Sequence, residues 1–146
     1  MRRIGAILLV LLAILLVPYR GIVAPDWTVT VVDEAGRPLP EMTVREEFKD
    51  YSHMGEGGEV DAVTDAGGQA HFPLRREWKT FGGWLAHGLI SLPGFVHNSY
   101  GVRTYVFAFG NGLEGSWVEH GVIADWTGSP NVMQSTIVVK PMSRSK

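Results

Sequence analysis

Residues 27–48 constrain the fold of this chain more than any other stretch. Trp27, Val29 and Val31 alternate with Thr28, Thr30 and Val32. A period of two built from β-branched residues predicts a strand with one buried face. The run Asp33-Glu34-Ala35-Gly36-Arg37-Pro38 predicts a turn. Asp initiates it, Gly takes the positive φ, and Pro blocks further pairing. Met42 and Val44 then open a second strand that reaches Glu46 and Phe48. Its alternation decays after Arg45, which predicts an edge strand, where charge is tolerated and protective.

The same rhythm continues downstream. Residues 60–64 predict a short strand, Asp65-Ala66-Gly67-Gly68 a tight turn, and 70–74 a strand that pairs back. The two glycines would supply the left-handed conformations of a hairpin turn, and Pro73 puts that strand at an edge or an end. Over 76–92 the period changes. Trp78, Phe81, Leu85, Leu89 and Leu92 recur at helical spacing, whereas Gly82, Gly83 and Gly88 each weaken a helix by about 1 kcal/mol. A short helical or irregular crossover satisfies both signals. Residues 53–59 and 94–101 read as loops. The segment 102–109 is apolar on both faces, which predicts a central strand. Asn111-Gly112 is a hairpin signal, followed by a returning strand at 116–119, an irregular stretch at 121–131, a last strand at 135–139 and a frayed basic tail at 143–146.

The residues V-T-V-V-D-E-A-G-R-P-L-P-E-M-T-V, followed by T-D-A-G-G-Q-A-H-F, resemble the start of carboxypeptidase regulatory-like domains. These belong to the transthyretin-like (prealbumin-like) group, and the resemblance covers roughly residues 27–74. It implies an all-β, Greek-key β-sandwich of about seven strands, the first two at 27–33 and 42–48, with a short helix between two late strands. One branch of the group, the hydroxyisourate hydrolases, is enzymatic and ends in Tyr-Arg-Gly-Ser. This chain ends Ser143-Arg144-Ser145-Lys146, so no catalytic residue carries over from that branch.

The N-terminus has a different character. Met1-Arg2-Arg3 precedes fourteen residues, 4–17, that are apolar apart from Gly5. A positive flank before an apolar core is the plan of a secretion signal, although a spanning helix takes ~20 residues. Residues 4–19 are therefore expected to meet a membrane, either as an uncleaved signal anchor or as a signal peptide whose removal leaves a secreted protein. Tyr19 and Arg20 would anchor at the interface, and the arginines would keep the N-terminus inside and send the domain to the extracytoplasmic side. Pro18 to Pro25 predict an extended linker. The chain then divides into residues 1–24 and one domain at 25–146.

Composition narrows the function classes. Net charge is −2. With Arg2, Arg3 and Arg20 set aside, 10 basic residues face 15 acidic ones, and a mildly acidic domain without a basic cluster is a poor nucleic-acid binder. The absence of cysteine excludes disulfides, cysteine zinc sites and a thiol nucleophile. Arg75-Arg76 with Lys79 reads as a solvated strand end, and Glu46-Glu47 and Asp61/Asp65 read as exposed acids. His53, His71, His87, His97 and His120 show no metal-ligand spacing. His53 reads as part of a solvated polar loop with Met54, Glu56 and Glu59. His71 is expected outward beside a core Phe72, and His120 next to Glu119 as a surface pair. No G-x-S-x-G elbow occurs. Catalytic residues, metal and cofactor are each expected to be none.

Trp78, Trp84, Trp117 and Trp126 are expected to close the core beneath the crossover. If two of them are exposed, Trp84 and Trp126 are the choice, because both lie in glycine-flanked irregular segments. Exposed indoles stack on sugars or bury in interfaces. The expectation is a membrane-tethered, extracytoplasmic, non-catalytic module with an accessory or recognition role and an unknown protein or glycan partner. The alternatives are a glycan- or peptide-binding domain using the aromatic segment 78–95, and a divergent enzyme of the hydroxyisourate hydrolase type.

Overall fold

Alternation at residues 27–31 has the predicted consequence: Trp27, Val29 and Val31 are buried on strand β2 (Asp26–Val32). A computed structural model describes residues 2–53, 57–91, 100–116, 118–119, 122–123 and 126–141. Before β2 come helix α1 (Arg2–Leu15) and strand β1 (Pro18–Ala24). After it follow β3 (Thr43–Asp50), β4 (Gly58–Val63), β5 (Gln69–Phe72), β6 (Arg75–Thr80) and helix α2 (Phe81–Ser91). The remaining strands are β7 (Val102–Gly110), β8 (Leu113–Ser116), β9 (Val118–Glu119), β10 (Val122–Ile123), β11 (Val132–Val138) and β12 (Lys140–Pro141).

The architecture is mostly β. One sheet has the order β11-β2-β5, and a second has the order β12-β8-β7-β3-β4. Their inner faces share one core. Trp27, Val29, Val31, Ala70, Phe72 and Ile137 come from the first sheet, and Val44, Val106 and Ala108 from the second. Strand β11 runs parallel to β2, and the other described pairings are antiparallel. The Trp27 indole also donates a hydrogen bond to Ser135 Oγ at 2.7 Å, so its one polar atom is satisfied inside the core.

Turn chemistry places the local elements. Asp33 Oδ1 accepts from the amides of Ala35 and Arg37, each at 2.9 Å, and Gly36 takes φ 77°. Asp65 Oδ1 accepts from the amides of Gly67 and Gln69 at 2.8 and 2.9 Å. Of the two glycines there, Gly68 takes the positive φ, 73°. Asn111 and Gly112, at φ 51° and 73°, close the β7–β8 hairpin as the sequence predicts, and β7 is interior, between β3 and β8.

Several expectations need correction. β3 is not an edge strand; it lies between β7 and β4. Its outward charges make a cross-strand pair instead: Arg45 faces Asp61 in register and grips both of its carboxylate oxygens at 2.7 and 2.8 Å. The segments 60–64 and 70–74 do not form a hairpin. β4 stays on β3, while β5 crosses to the other sheet and pairs with β2, where Phe72 lies opposite Trp27. That crossing sets Ala70 and Phe72 of β5 beside Val29 and Trp27 on the inner face of the sheet. The crossover expected over 76–92 is a strand as far as Thr80 and a helix only from Phe81. There Thr80 Oγ1 accepts from the Gly83 amide at 3.0 Å and caps the helix.

The linker expected at 18–25 is also replaced by structure. β1 pairs antiparallel with β6 from Pro18↔Thr80 to Ala24↔Arg75. Val23 and Ala24 are buried, and Thr104 Oγ1 donates to the Val23 carbonyl at 2.7 Å, which fastens β1 to β7. The single apolar span expected over 4–19 is not what forms. α1 stops at Leu15, ahead of the Pro18 that disfavours helix at Val17. Its 14 residues reach about 21 Å, its apolar side chains are exposed, and no helix among the described residues is long and apolar enough to cross a membrane.

Candidate functional site

The β1–β6 ribbon lies against β3 and β7, and the contact is ionic as well as apolar. Along a strand, residues two and four apart share a face. Glu46 and Asp50 on β3 are therefore presented together, as are Arg75 and Lys79 on β6. They meet as two rungs. Arg75 Nε donates to Glu46 Oε2 at 3.0 Å, and Lys79 Nζ donates to Asp50 Oδ2. Glu46 is fully buried, and the Asp50 and Lys79 side chains are 5% and 7% exposed.

The upper rung continues into a chain of polar groups. His53 Nδ1 lies 3.0 Å from Asp50 Oδ2, and His53 Nε2 lies 3.3 Å from the Tyr19 hydroxyl. An ionised carboxylate only accepts, so Nδ1 carries the proton towards Asp50, and in the neutral ring Nε2 accepts from Tyr19. The Ser52 amide adds a bond to Asp50 Oδ1 at 2.8 Å. A cleft of about 350 Å³ opens beside this cluster, lined by Pro18, Asp50, His53, Trp78, Lys79 and Gly83 among others. It sits where both helices join the sandwich.

The two carboxyls differ electrostatically. Burial opposes ionisation of Asp50, but the Lys79 ammonium, the Ser52 amide and His53 outweigh it, so the carboxyl is held below its ordinary range. Burial pushes the Glu46 carboxyl up, and Arg75 only partly opposes this. The difference follows from hydrogen bonding: Glu46 Oε1 is buried without a partner, whereas both Asp50 oxygens are bonded. Chemically the upper cluster is charge-balanced. Lys79 and Asp50 satisfy each other, and the imidazole is oriented between a carboxylate and a phenol. That arrangement ties β1, β6 and the end of β3 together beneath the helices.

Burial and pairing in the fold, more than local sequence, distinguish these residues. Of the expected solvated strand end only Arg76 is exposed; Lys79 is buried and Arg75 is partly buried on Glu46, which is not an exposed acid. Burial between two sheets changes both readings. His53 is not solvated either; it is mostly buried and bonded to Asp50, while its expected companions Met54 and Glu56 lie outside the described residues. A usable signal was present: acids at 46 and 50 and bases at 75 and 79 have the same spacing of four. Among the described residues no group of three or more His, Cys, Asp or Glu could hold a metal ion.

The tryptophans divide. Trp84 is 56% exposed on α2, and Trp78 is more exposed still, at 68% on β6. Trp126 is buried, as the core expectation had it, so of the pair chosen in case two were exposed only Trp84 is exposed, and Trp78 and Trp84 do not close the core. The Trp126 backbone bridges Thr104 through bonds of 3.0 and 2.8 Å, and its indole donates to the Pro130 carbonyl, so no ligand can stack on it. Trp117, His97 and His120 lie outside the described residues. His71 is exposed beside a buried Phe72, as expected.

The Arg20 guanidinium covers the Trp78 ring at 5.3 Å, and Tyr19 stacks at a tilt on Phe81 with centroids 5.2 Å apart. An aromatic and cationic collar thus surrounds the foot of the two helices. Comparisons with protein-family models, with curated proteins and with solved structures find no match to this chain.

Proposed function

We propose that this chain is a non-catalytic β-sandwich module held at a membrane through its N-terminal helix, with the domain on the extracytoplasmic side and an accessory or recognition role. One observation carries the reading. Ile4, Ile7, Leu8, Leu9, Val10, Leu11, Leu12 and Ile14 are each at least half exposed on α1. An apolar surface of this kind, uncovered by the rest of the chain, is a docking surface and not a core element. Basic residues ahead of an apolar run are the plan of an export signal, which favours placement of the domain on the extracytoplasmic side. The pairing of the buried charges with one another supports a structural role for them. The finer transthyretin-like, Greek-key reading draws support from β5, which returns beside β2 after the β3–β4 excursion.

Flotation of the full-length chain with phospholipid vesicles tests the reading. The chain is expected to rise with the lipid, and substitution of Leu8, Leu11 and Leu12 by glutamate should leave it at the bottom. A full-length chain that stays in the dense fraction refutes the membrane role. A second reading, glycan or peptide binding by the segment 78–95, is favoured by the exposure of Trp78 and Trp84. Tryptophan emission that is unchanged on titration with glycans and cell-wall fragments would count against it.

A further inference from the structure

We infer that α2 is a second lipid-contacting element, so that the chain enters one leaflet as a pair of short apolar helices and does not cross the bilayer. This rests on the membrane reading above and specifies its geometry. Phe81, Trp84, Leu85, Leu89 and Ile90 are exposed on α2. The two helices are held side by side at their base. A methyl group on Gly82 would lie 3.0 Å from the Leu15 carbonyl oxygen, so glycine is what allows the close approach. Tyr19 and Phe81 pack on each other just below.

The occupant of this surface follows from its chemistry. α1 opens with Arg2 and Arg3, which stay at headgroup level, and from Ile4 to Leu15 it carries no polar side chain. A helix that docks on a protein keeps one apolar stripe and one polar face; a helix apolar on every side matches hydrocarbon. The two helices, of 14 and 11 residues, reach about 21 and 16 Å against a hydrocarbon core of ~30 Å. Neither crosses it, and both suit shallow insertion from one side. Tyr19, Arg20 and Trp78 at the foot of the pair are the residue types that settle at headgroup level. His87, a polar residue within α2, is partly covered and meets the Tyr100 ring edge-on at 6.2 Å.

The native tryptophans report the depth. The full-length chain is bound to vesicles of phosphatidylcholine and phosphatidylglycerol whose acyl chains carry bromine. Bromine placed deep in the acyl chains is expected to quench part of the tryptophan emission, and Trp84→Phe should lower that quenching measurably, because Trp27 and Trp126 are buried and Trp78 lies at headgroup level. The double variant Leu89→Glu/Ile90→Glu should weaken vesicle partitioning roughly tenfold. If the chain binds vesicles but Trp84→Phe is quenched like the parent and the glutamate variant binds equally well, α2 is not in the lipid, and the reading of α1 survives. If the full-length chain binds no vesicles, both fall. If a dimer persists on the vesicles with Trp84 shielded from both bromine and acrylamide, a second copy covers the face and the inference is overturned.

Discussion

Lys79→Met is the sharpest test of the ionic ladder. Methionine keeps most of the side-chain volume and removes the ammonium, leaving Asp50 at 5% exposure with the Ser52 amide at 2.8 Å and His53 at 3.0 Å. Removing one partner of a buried ion pair costs about 3–5 kcal/mol. Because two donors still hold the carboxylate, the lower end applies, about 3 kcal/mol, or a fall in Tm of about 10–15 °C for a domain of this size. The double variant Asp50→Asn/Lys79→Met removes both charges and keeps an acceptor for the Ser52 amide. It should recover to within about 1 kcal/mol of the parent, since replacing a buried pair is far cheaper than breaking it. Urea unfolding in non-ionic micelles, followed by tryptophan emission, reads both values, as Trp27 and Trp126 are fully buried. A Lys79→Met variant within about 0.5 kcal/mol of the parent, or a double variant no better than the single, refutes the claim that these charges are paired out of water.

Two further outcomes follow from the same region. Burial raises the Glu46 carboxyl, so its contribution is fully present below the ordinary value of 4.5 and is lost as pH rises through the folded-state value. Glu46→Gln cannot titrate; the stability of the parent relative to this variant should therefore improve as pH falls towards 4.5, and unfolding curves across that window with no such trend would contradict the burial of Glu46. Gly21 faces Lys79 so closely that a Cβ would meet its Cδ, Cε and Nζ at 2.8 to 3.0 Å. Gly21→Ala is expected to cost about 1–3 kcal/mol by overpacking, and much less in a Lys79→Ala background, so additive losses in the same unfolding assay would place the clash elsewhere.

What proved legible from the residues alone was local. The β2 alternation, the Asp33 and Asp65 turns, the Asn111-Gly112 hairpin and the interior position of β7 each depend on neighbours a few positions apart, or on the apolar character of a single strand. Strand partners were not legible. Whether β5 returns to β4 or crosses to β2, and whether β3 is an edge, depends on which distant backbone satisfies its amides. Residues 18–24 look like a linker because Pro18 and Gly21 are poor strand formers, yet β6 supplies the partner that makes them a strand. Trp126 lies in a segment with no period, and its burial comes from the bridge to Thr104.

The ionic ladder divides the two kinds of information most clearly. The order of residues alone determined that two acids and two bases each share a spacing of four, and that an apolar run precedes a β-patterned domain. Only the tertiary structure decided that Glu46, Asp50 and Lys79 lie inside, with Arg75 reaching in from the rim. Each rung joins residues 29 positions apart, and a charged side chain leaves water only when the fold brings its counter-charge to the same place. Until then, exposure is its lower-energy state.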